Sequence, residues 1–335
     1  MDQDQTAEEL AAYRPRLLGV AYRLLGSAWD AEDIVEEATV RWLQLDRTDI
    51  REPLAFLTTM VTRLALDHLR SARVRRETYY GPWLPEPVLT GNSALGPLET
   101  VEQRDSLSMA TMRLLEQLTP PERGVFVLRS AFELPYEDIA EVLDMTAEHA
   151  RQLHHRAQAR IASGASRFDA DTRRHAFLFE SLVTATQSGD LSDLEQLLAA
   201  DVVAYNDGGG KVRAALNPVT GVDNVLRFIA GLRARFDAAT DVRFVEVNGQ
   251  PAAYLRMGDQ EQVVGIGVRE GRIAEIFAVL NPDKTRYART QLGAPDAEPP
   301  RPAEVDWSGS SRGVRRAEPD QSESRGRRPP LSVQD

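Results

Sequence analysis

The sequence predicts a multidomain chain: two all-α domains, then an α+β domain, then a disordered tail. Three observations carry that expectation. Apolar residues recur at three- and four-residue spacing through the first ~165 residues. After Phe168, short alternating β-rich runs dominate. From Gly293 the chain mixes Pro, Ser, Arg and acids with one aromatic, Trp307, a composition that does not form a core. The expected spans are 1–76, a linker at 77–103, 104–167, 170–290 and the tail 291–335.

In the first domain, Leu18, Ala21, Tyr22 and Leu25 form one stripe, ended by Gly26. Asp30 is a plausible N-cap for the next helix. Its inner face is Ala31, Ile34, Val35, Ala38, Trp42 and Leu45, and Glu32, Asp33, Glu36 and Glu37 lie outside. A third helix starts near Pro53, a good first-turn residue, and runs through Leu54, Leu57, Val61 and Leu64 into arginines. The Pro/Gly-rich stretch from Gly81 to Pro97 is a boundary by composition. Its segment "GPWLPEP" holds three prolines, a tryptophan and a leucine, which suggests docking rather than plain spacing. Helical spacing resumes at Leu107, Ala110, Leu114 and Leu118, with three more short helices broken at Pro120-Pro121, Pro135 and Asp144.

The third domain opens with helical patterns at Arg173 to Thr186 and Leu191 to Leu198. The runs "DVVAYN", "DVRFVEVN", "AAYLRM", "EQVVGIGVRE" and "RIAEIFAVLN" follow, interrupted by one amphipathic helix near Asp223 to Phe236. Hairpin signals such as "VNGQPA" and "REGRIA" separate consecutive strands, so helices packed on a curved antiparallel sheet are expected.

Composition narrows the function. The chain has 335 residues, 42% hydrophobic, enough for two or three cores. It has no cysteine, which excludes disulfides, thiolate catalysis and cysteine zinc sites. No cofactor or metal is expected. No apolar run approaches the ~18 residues that span a bilayer, and "MDQDQTAEEL" is unlike a secretory signal; a cytoplasmic protein without a membrane partner is the expectation. The net charge of -11 argues against nucleic-acid binding until its distribution is read. Arg63 to Arg76 holds five arginines against Asp67, and Arg151 to Arg167 holds four arginines and no acid. Basic faces on an acidic chain fit a protein that meets DNA without binding it loosely.

Pro135 to Arg160 has helix-turn-helix anatomy: a short helix, a turn at Asp144 and Met145, and a second helix with Thr146 as N-cap. That helix exposes Glu148, His149, Arg151, Gln152, His155 and Arg156, side chains that reach base edges or phosphates from a major groove. The plain alternative is a solvated helical hairpin. The arginine helix has its own plain reading, a surface pair of Arg63 with Asp67. The acidic face from Asp30 to Glu36 reads as solvent-facing or as a dock for a basic or polar partner. "YNDGGGKV" (Tyr205 to Val212) is not a Walker loop; it reads as a flexible hairpin or a binding loop. "LNPDK" (Leu280 to Lys284) reads as an Asn-Pro turn.

These pieces resemble a known order. "RLLGVAYRLLGSAWDAEDIVEEATVRWLQL" and "RLALDHLRSARVRRE" resemble region 2 of sigma-70 family factors. "LTPPERGVFVLRSAFELPYEDIAEVLDMTAEHARQLHHRAQARI" resembles region 4. The two-region arrangement is similar to an extracytoplasmic-function (ECF) sigma factor. The third domain resembles the SnoaL-like cone of polyketide cyclases and ketosteroid isomerase, carried by an ECF group with WLPEP, DGGGK and NPDK motifs, all present here. The resemblance covers roughly Leu10 to Tyr287.

The resemblance implies partners and sites. Asp30, Glu32, Asp33 and Glu36 would face the clamp helices of core RNA polymerase. Arg63, Asp67, Arg70, Arg73, Arg75 and Arg76 would approach the -10 element of promoter DNA. Thr146, Glu148, His149, Arg151, Gln152, His155 and Arg156 would approach the -35 element. Many relatives carry Asn where Arg63 stands, Gly where Asp144 stands, and "GTVK" for "EHAR" (Glu148 to Arg151). Trp83, Leu84, Pro85, Glu86 and Pro87 would dock on the cone near Asp207, Gly208, Gly209, Gly210 and Lys211 and near Asn281, Pro282, Asp283 and Lys284, with Glu86 in reach of a lysine. The cone has room for a small apolar ligand. The alternative is a DNA-binding regulator whose third domain senses a ligand or works as a cyclase or isomerase. His175 stands at the start of that domain, and Asp201, Asp207, Asp223, Asp241 and Asp259 look like caps, turns or strand ends, so no catalytic base is evident and no enzyme is expected.

Overall fold

The computed structural model describes residues 3–91, 95, 100–164, 172–235, 241–257 and 260–293, all within the unit Met1–Pro300. The tail expected beyond the third domain falls, from 294 on, outside the described residues, and so do Phe168 and Asp259. Among the described residues no helix is long and apolar enough to cross a membrane.

The first helices are α1 (Gln3–Leu25), α2 (Ala28–Gln44) and α3 (Pro53–Glu77). Gly26, at φ +67°, ends α1. The N-cap of α2 is Ser27, whose hydroxyl accepts from the Asp30 amide at 3.2 Å, rather than Asp30. Asp30 instead lies in the first turn, where a carboxylate complements the helix dipole. The linker follows, then α4 (Val101–Leu107) and α5 (Met109–Leu115). The boundary expected at 103/104 therefore falls inside α4. Next comes α6 (Pro120–Phe126), continued by a π turn through Ala131. Pro120 opens α6 instead of breaking a helix, because a first-turn proline loses no hydrogen bond. Then come α7 (Tyr136–Leu143) and α8 (Ala147–Gly164). The two helical segments share one core: Leu24, Val61, Leu115, Leu128 and Ala157 are all fully buried within it.

The C-terminal domain runs α9 (Thr172–Ser188), α10 (Ser192–Leu197), β1 (Leu198–Asp207), β2 (Val219–Thr220), α11 (Val222–Arg235), β3 (Asp241–Val247), β4 (Gln250–Met257), β5 (Gln260–Arg269), β6 (Arg272–Val279) and α12 (Pro282–Gln291). The strand order is β2-β1-β6-β5-β4-β3. The hairpins expected from "VNGQPA" and "REGRIA" form at Asn248-Gly249 and Glu270-Gly271. All four residues have positive φ, as two-residue hairpin loops of the primed type require. The sheet is mixed rather than antiparallel throughout: β1 pairs parallel with β6, Asn206 opposite Ala278 and Asp207 opposite Val279. The expected Asn-Pro turn at 281–282 instead starts α12, with the Asn281 side chain accepting from the Asp283 amide at 3.1 Å.

Strand alternation gives the sheet two different faces. Ala204, Ile266 and Ile276 join Leu182, Val225 and Ile229 of α9 and α11 in one core. Tyr205, Phe277 and Val279 face the opposite way, onto Leu84 of the linker and Met109 and Ala110 of α5. The sheet thus lies between its own helices and the N-terminal half of the chain.

His175 is 4% exposed and its Nε2 has no hydrogen-bond partner. Burial pushes its pKa down from 6.5 to about 4. The folded state then binds fewer protons than the unfolded state across that window, so the stabilisation is complete above pH 6.5 and lost as pH falls towards 4. His175→Phe should remove about 3 kcal/mol of this acid sensitivity, read from urea melts of parent and variant at pH 7 and pH 4.

Candidate functional site

The linker enters a cleft between the two halves of the chain, where buried polar groups hold it. Leu84 is fully buried. Its amide donates to Asp207 Oδ2 at 2.8 Å, and its carbonyl accepts from Lys284 Nζ at 2.5 Å. Lys284 Nζ also pairs with Asp207 Oδ2 at 2.7 Å, with both side chains almost wholly out of solvent. The Tyr79 hydroxyl donates to Asp207 Oδ1 at 2.5 Å and accepts from Asn281 Nδ2 at 2.9 Å. Burial, then the Asp207 charge, pushes that phenol well above its ordinary pKa, so it remains a donor. The Lys284 ammonium lies over the Trp83 ring at 4.3 Å and the Tyr79 ring at 4.7 Å, a cation–π arrangement. Asp207, Asn281 and Lys284 thus converge on one buried centre, and Leu84 passes through it.

The DGGGK loop shapes the approach to this centre. Gly209 has φ +58°, and a Cβ there would run into the Asn281 side chain. Gly208 and Gly210 flank it, and Lys211 pairs with Asp283 at the surface. Pro282 supplies the first turn of α12. Trp83 packs towards α1: a Cβ on Gly26 would lie 2.6 Å from its ring.

Glu86 lies within electrostatic reach of Lys284, but its hydrogen bonds go elsewhere. Its carboxylate accepts from the Ala28 amide at 2.6 Å, the Trp29 amide at 3.3 Å and the Ser27 hydroxyl at 3.1 Å. It therefore closes the N-terminus of α2, because the free amides there present partial positive charge. Burial pushes its pKa up, and the three bonds with the Lys284 charge pull it back. The Glu86 amide donates to the Gly26 carbonyl at 2.9 Å, and its carbonyl accepts from the Tyr22 hydroxyl. Pro85 and Pro87 are buried on either side.

The chain beyond Pro87 meets residues that the sequence reading missed. Asn248, fully buried at φ +53°, exchanges bonds with Val88: Val88 N to Asn248 Oδ1 at 3.0 Å and Asn248 N to Val88 O at 2.9 Å. Its Nδ2 donates to the Tyr22 hydroxyl and the Leu107 carbonyl. Gln291 of α12 binds both backbone groups of Leu89, at 2.7 and 3.1 Å. Arg113 of α5 pairs with Glu275 of β6 at 2.6 Å and lies over Tyr205.

The faces expected to meet other molecules differ in access. On α2, Asp33 and Glu36 are exposed. Asp30 stands 3.4 Å from His68. Glu32 pairs with Arg14 and accepts from the Tyr287 hydroxyl of α12 at 2.9 Å. Tyr287 also meets Trp29 edge to face, with Arg286 over the same ring. On α3, Arg63 donates to the Val142 and Glu141 carbonyls at the end of α7, at 2.9 and 3.0 Å. Asp67 and Arg70 pair at the surface. The side chains of Arg73, Arg75 and Arg76 lie outside the described residues. On α8, Thr146 accepts from the His149 amide, and Asp144 adopts the left-handed conformation (φ +54°) that its position demands. Glu148, His149, Arg151, Gln152, His155 and Arg156 are all exposed. The last four line a single open concavity. Arg151 pairs with Glu137 at 2.8 Å and covers the Tyr136 ring. His154, between them, is instead buried and bonded to Ser130 and Tyr136.

The family model "Sigma-70 region 2" matches residues 10–75, and "Sigma-70, region 4" matches residues 108–161. The chain is 40% identical over 287 residues to the ECF RNA polymerase sigma factor SigJ of Mycobacterium tuberculosis, covering 82% of this chain and 92% of that one. The chain belongs to the ECF sigma factors of RNA polymerase.

This sigma factor is also 30% identical over 297 residues to the probable ECF sigma factor SigI of Mycobacterium tuberculosis, across 87% of its own length and 98% of that protein. The crystal structure of Mycobacterium tuberculosis SigJ superposes with a TM-score of 0.69 and 36% identity, covering 86% of this chain and 99% of that one. The match extends through the helix-plus-sheet C-terminal domain. As an alternative sigma factor, the protein serves transcription initiation by binding core RNA polymerase and promoter DNA.

Proposed function

We propose that the arrangement described is a closed state of the sigma factor, held by its C-terminal domain through the linker. The observation that carries this reading is Arg63. It belongs to the helix assigned to the -10 element, yet its guanidinium is spent on carbonyls of α7 in the helix-turn-helix. Promoter opening requires that helix to leave region 4. Region 2 then binds core polymerase through Asp30, Glu32, Asp33 and Glu36, and Tyr287 must leave Glu32 for the whole face to be presented. Arg63, Asp67, Arg70, Arg73, Arg75 and Arg76 then hold phosphates and unstacked bases of the opened -10 element. The exposed side chains of α8 read the -35 element in the major groove. Trp83 to Pro87, Asp207 to Lys211 and Asn281 to Lys284 set the balance between closed and open states. A few kcal/mol of interdomain contact suffices to shift such a balance.

The C-terminal domain acts in this reading as a regulator rather than an enzyme. Among the described residues, those lining its cavity include no carboxylate and no imidazole to move a proton. Run-off transcription with purified core enzyme tests the proposal. The full chain should give less promoter-dependent product than a chain whose Asp207 centre is broken, and equal product would remove the closed-state reading. Arg151→Ala should weaken binding to a -35 duplex by about 1–3 kcal/mol if it reads a base. An unchanged affinity in a titration would take Arg151 off the DNA face.

A further inference from the structure

The inner face of the sheet, under α9 and α11, encloses a cavity of about 120 Å³. Its walls are apolar, with Leu182, Phe228, Ile229, Leu255 and Ile276 prominent. Besides Asn206, four polar side chains among the described residues line it: Thr186 donates its hydroxyl to the Leu182 carbonyl, Gln187 is exposed to solvent, and Arg233 and Gln262 are engaged at its edge. Arg233 donates to the Thr186 and Gln187 carbonyls at the end of α9, and Gln262 Nε2 contacts Met257 Sδ. Asn206 differs. It lines the cavity and is 6% exposed, and its Nδ2 has no hydrogen-bond partner. A buried amide donor without an acceptor is costly, and native proteins rarely keep one without a use.

We propose that this cavity binds a small, neutral, mostly apolar molecule carrying one hydrogen-bond-accepting oxygen, which Asn206 holds through its side-chain amide. Neutrality follows from the walls, which among the described residues offer no carboxylate to a cation, while the Arg233 guanidinium is turned to the α9 carbonyls. Size follows from the volume, which is of the order of cavities that admit a single aromatic ring. The oxygen follows from Asn206, the buried unpartnered donor among the described residues of the lining.

The site lies one peptide bond from the linker centre. Asn206 and Asp207 are consecutive on β1, so their side chains leave opposite faces of the sheet. The neighbouring strand repeats the pattern: Ala278 lines the cavity and Val279 packs on Leu84. A ligand that reorients Asn206 strains the strand that holds Asp207 against Leu84, Tyr79 and Lys284. The consequence for transcription rests on the closed-state reading above; the binding itself does not.

Benzyl alcohol and its near-isostere ethylbenzene, titrated separately into the full chain, test the site. Benzyl alcohol should shift the Asn206 side-chain amide resonance saturably. Asn206→Leu should weaken benzyl alcohol about tenfold, the loss expected for one such hydrogen bond, while ethylbenzene binds as well or better. Benzyl alcohol that leaves the amide unmoved up to its solubility limit, or that binds parent and variant alike, overturns the proposal. The resonance shift is read on the parent chain and therefore stands even if the variant folds poorly. Failure here leaves the run-off comparison untouched, so the binding site and the closed-state reading stand or fall separately.

Discussion

Asp207→Ala should free the linker and cost about 3–5 kcal/mol, the usual penalty for removing one partner of a buried ion pair. The carboxylate is fully buried and receives three donors: the Leu84 amide, the Tyr79 hydroxyl and Lys284 Nζ. Its removal leaves an ammonium of 7% side-chain exposure without its ion-pair partner, with the Leu84 carbonyl and two aromatic faces among the partners that remain. Asp207→Asn should cost less, because an amide still bonds Leu84 or Tyr79 yet cannot balance the charge. Hydrogen exchange at the Leu84 amide reads the effect directly. It should be protected in the parent and exchange much faster in Asp207→Ala. If protection were unchanged, the carboxylate would be a passive strand-end residue, as its position in the sequence suggests.

Glu86→Ala should cost about 2–4 kcal/mol through a different element. Here the loss falls on the N-terminus of α2, where the Ala28 and Trp29 amides lose their shared acceptor. An orphaned buried donor costs about 1–3 kcal/mol, and the Ser27 hydroxyl loses a partner as well. Glu86→Gln keeps an acceptor oxygen and should recover part of the loss. Thermal unfolding of the three proteins should rank parent, Gln, then Ala. Because α2 also carries the proposed polymerase face, affinity for core enzyme should follow the same order. Equal melting temperatures would mean that α2 is capped sufficiently by Ser27 alone.

The two variants also show what was legible in the sequence. Helices α1 to α3 and the helix-turn-helix followed from apolar spacing, because each buries one stripe in a common core. "WLPEP" stood out because Trp and Leu are poor choices for a solvated proline segment, and Leu84 is indeed buried. The partner of Glu86 was not legible. Its donors are backbone amides 57 and 58 residues away, and a backbone amide leaves no signature in sequence. Asn248 and Gln291 were missed for the same reason: their bonds to Val88 and Leu89 span 160 and 202 residues. The "VNGQPA" segment carries a clear hairpin signal, but nothing local says that its Asn side chain is buried under the linker.

Two further misreadings have simple causes. Asn-Pro begins both turns and helices, and five residues are too few to show a helical period, so α12 looked like a turn. The turn signals between β3 and β4 and between β5 and β6 mark hairpins, and both form. The parallel pairing of β1 with β6 joins the first and last strands, and no turn signal marks a partner so distant. Ser27 could have been identified as the α2 cap, since it stands three residues before Asp30 in a capping-box-like spacing.

The central claim is that regions 2 and 4 are held together until the linker is released. The chain has no cysteine, so Asp49→Cys and Gln158→Cys, both at exposed positions, give two unique labelling sites. The distance between spin labels at these sites tests the claim most directly. The account predicts one short distance in the free full chain, a longer population on adding Asp207→Ala, and the longer distance alone in the complex with core polymerase and promoter DNA. One unchanged distance in all three samples would contradict it.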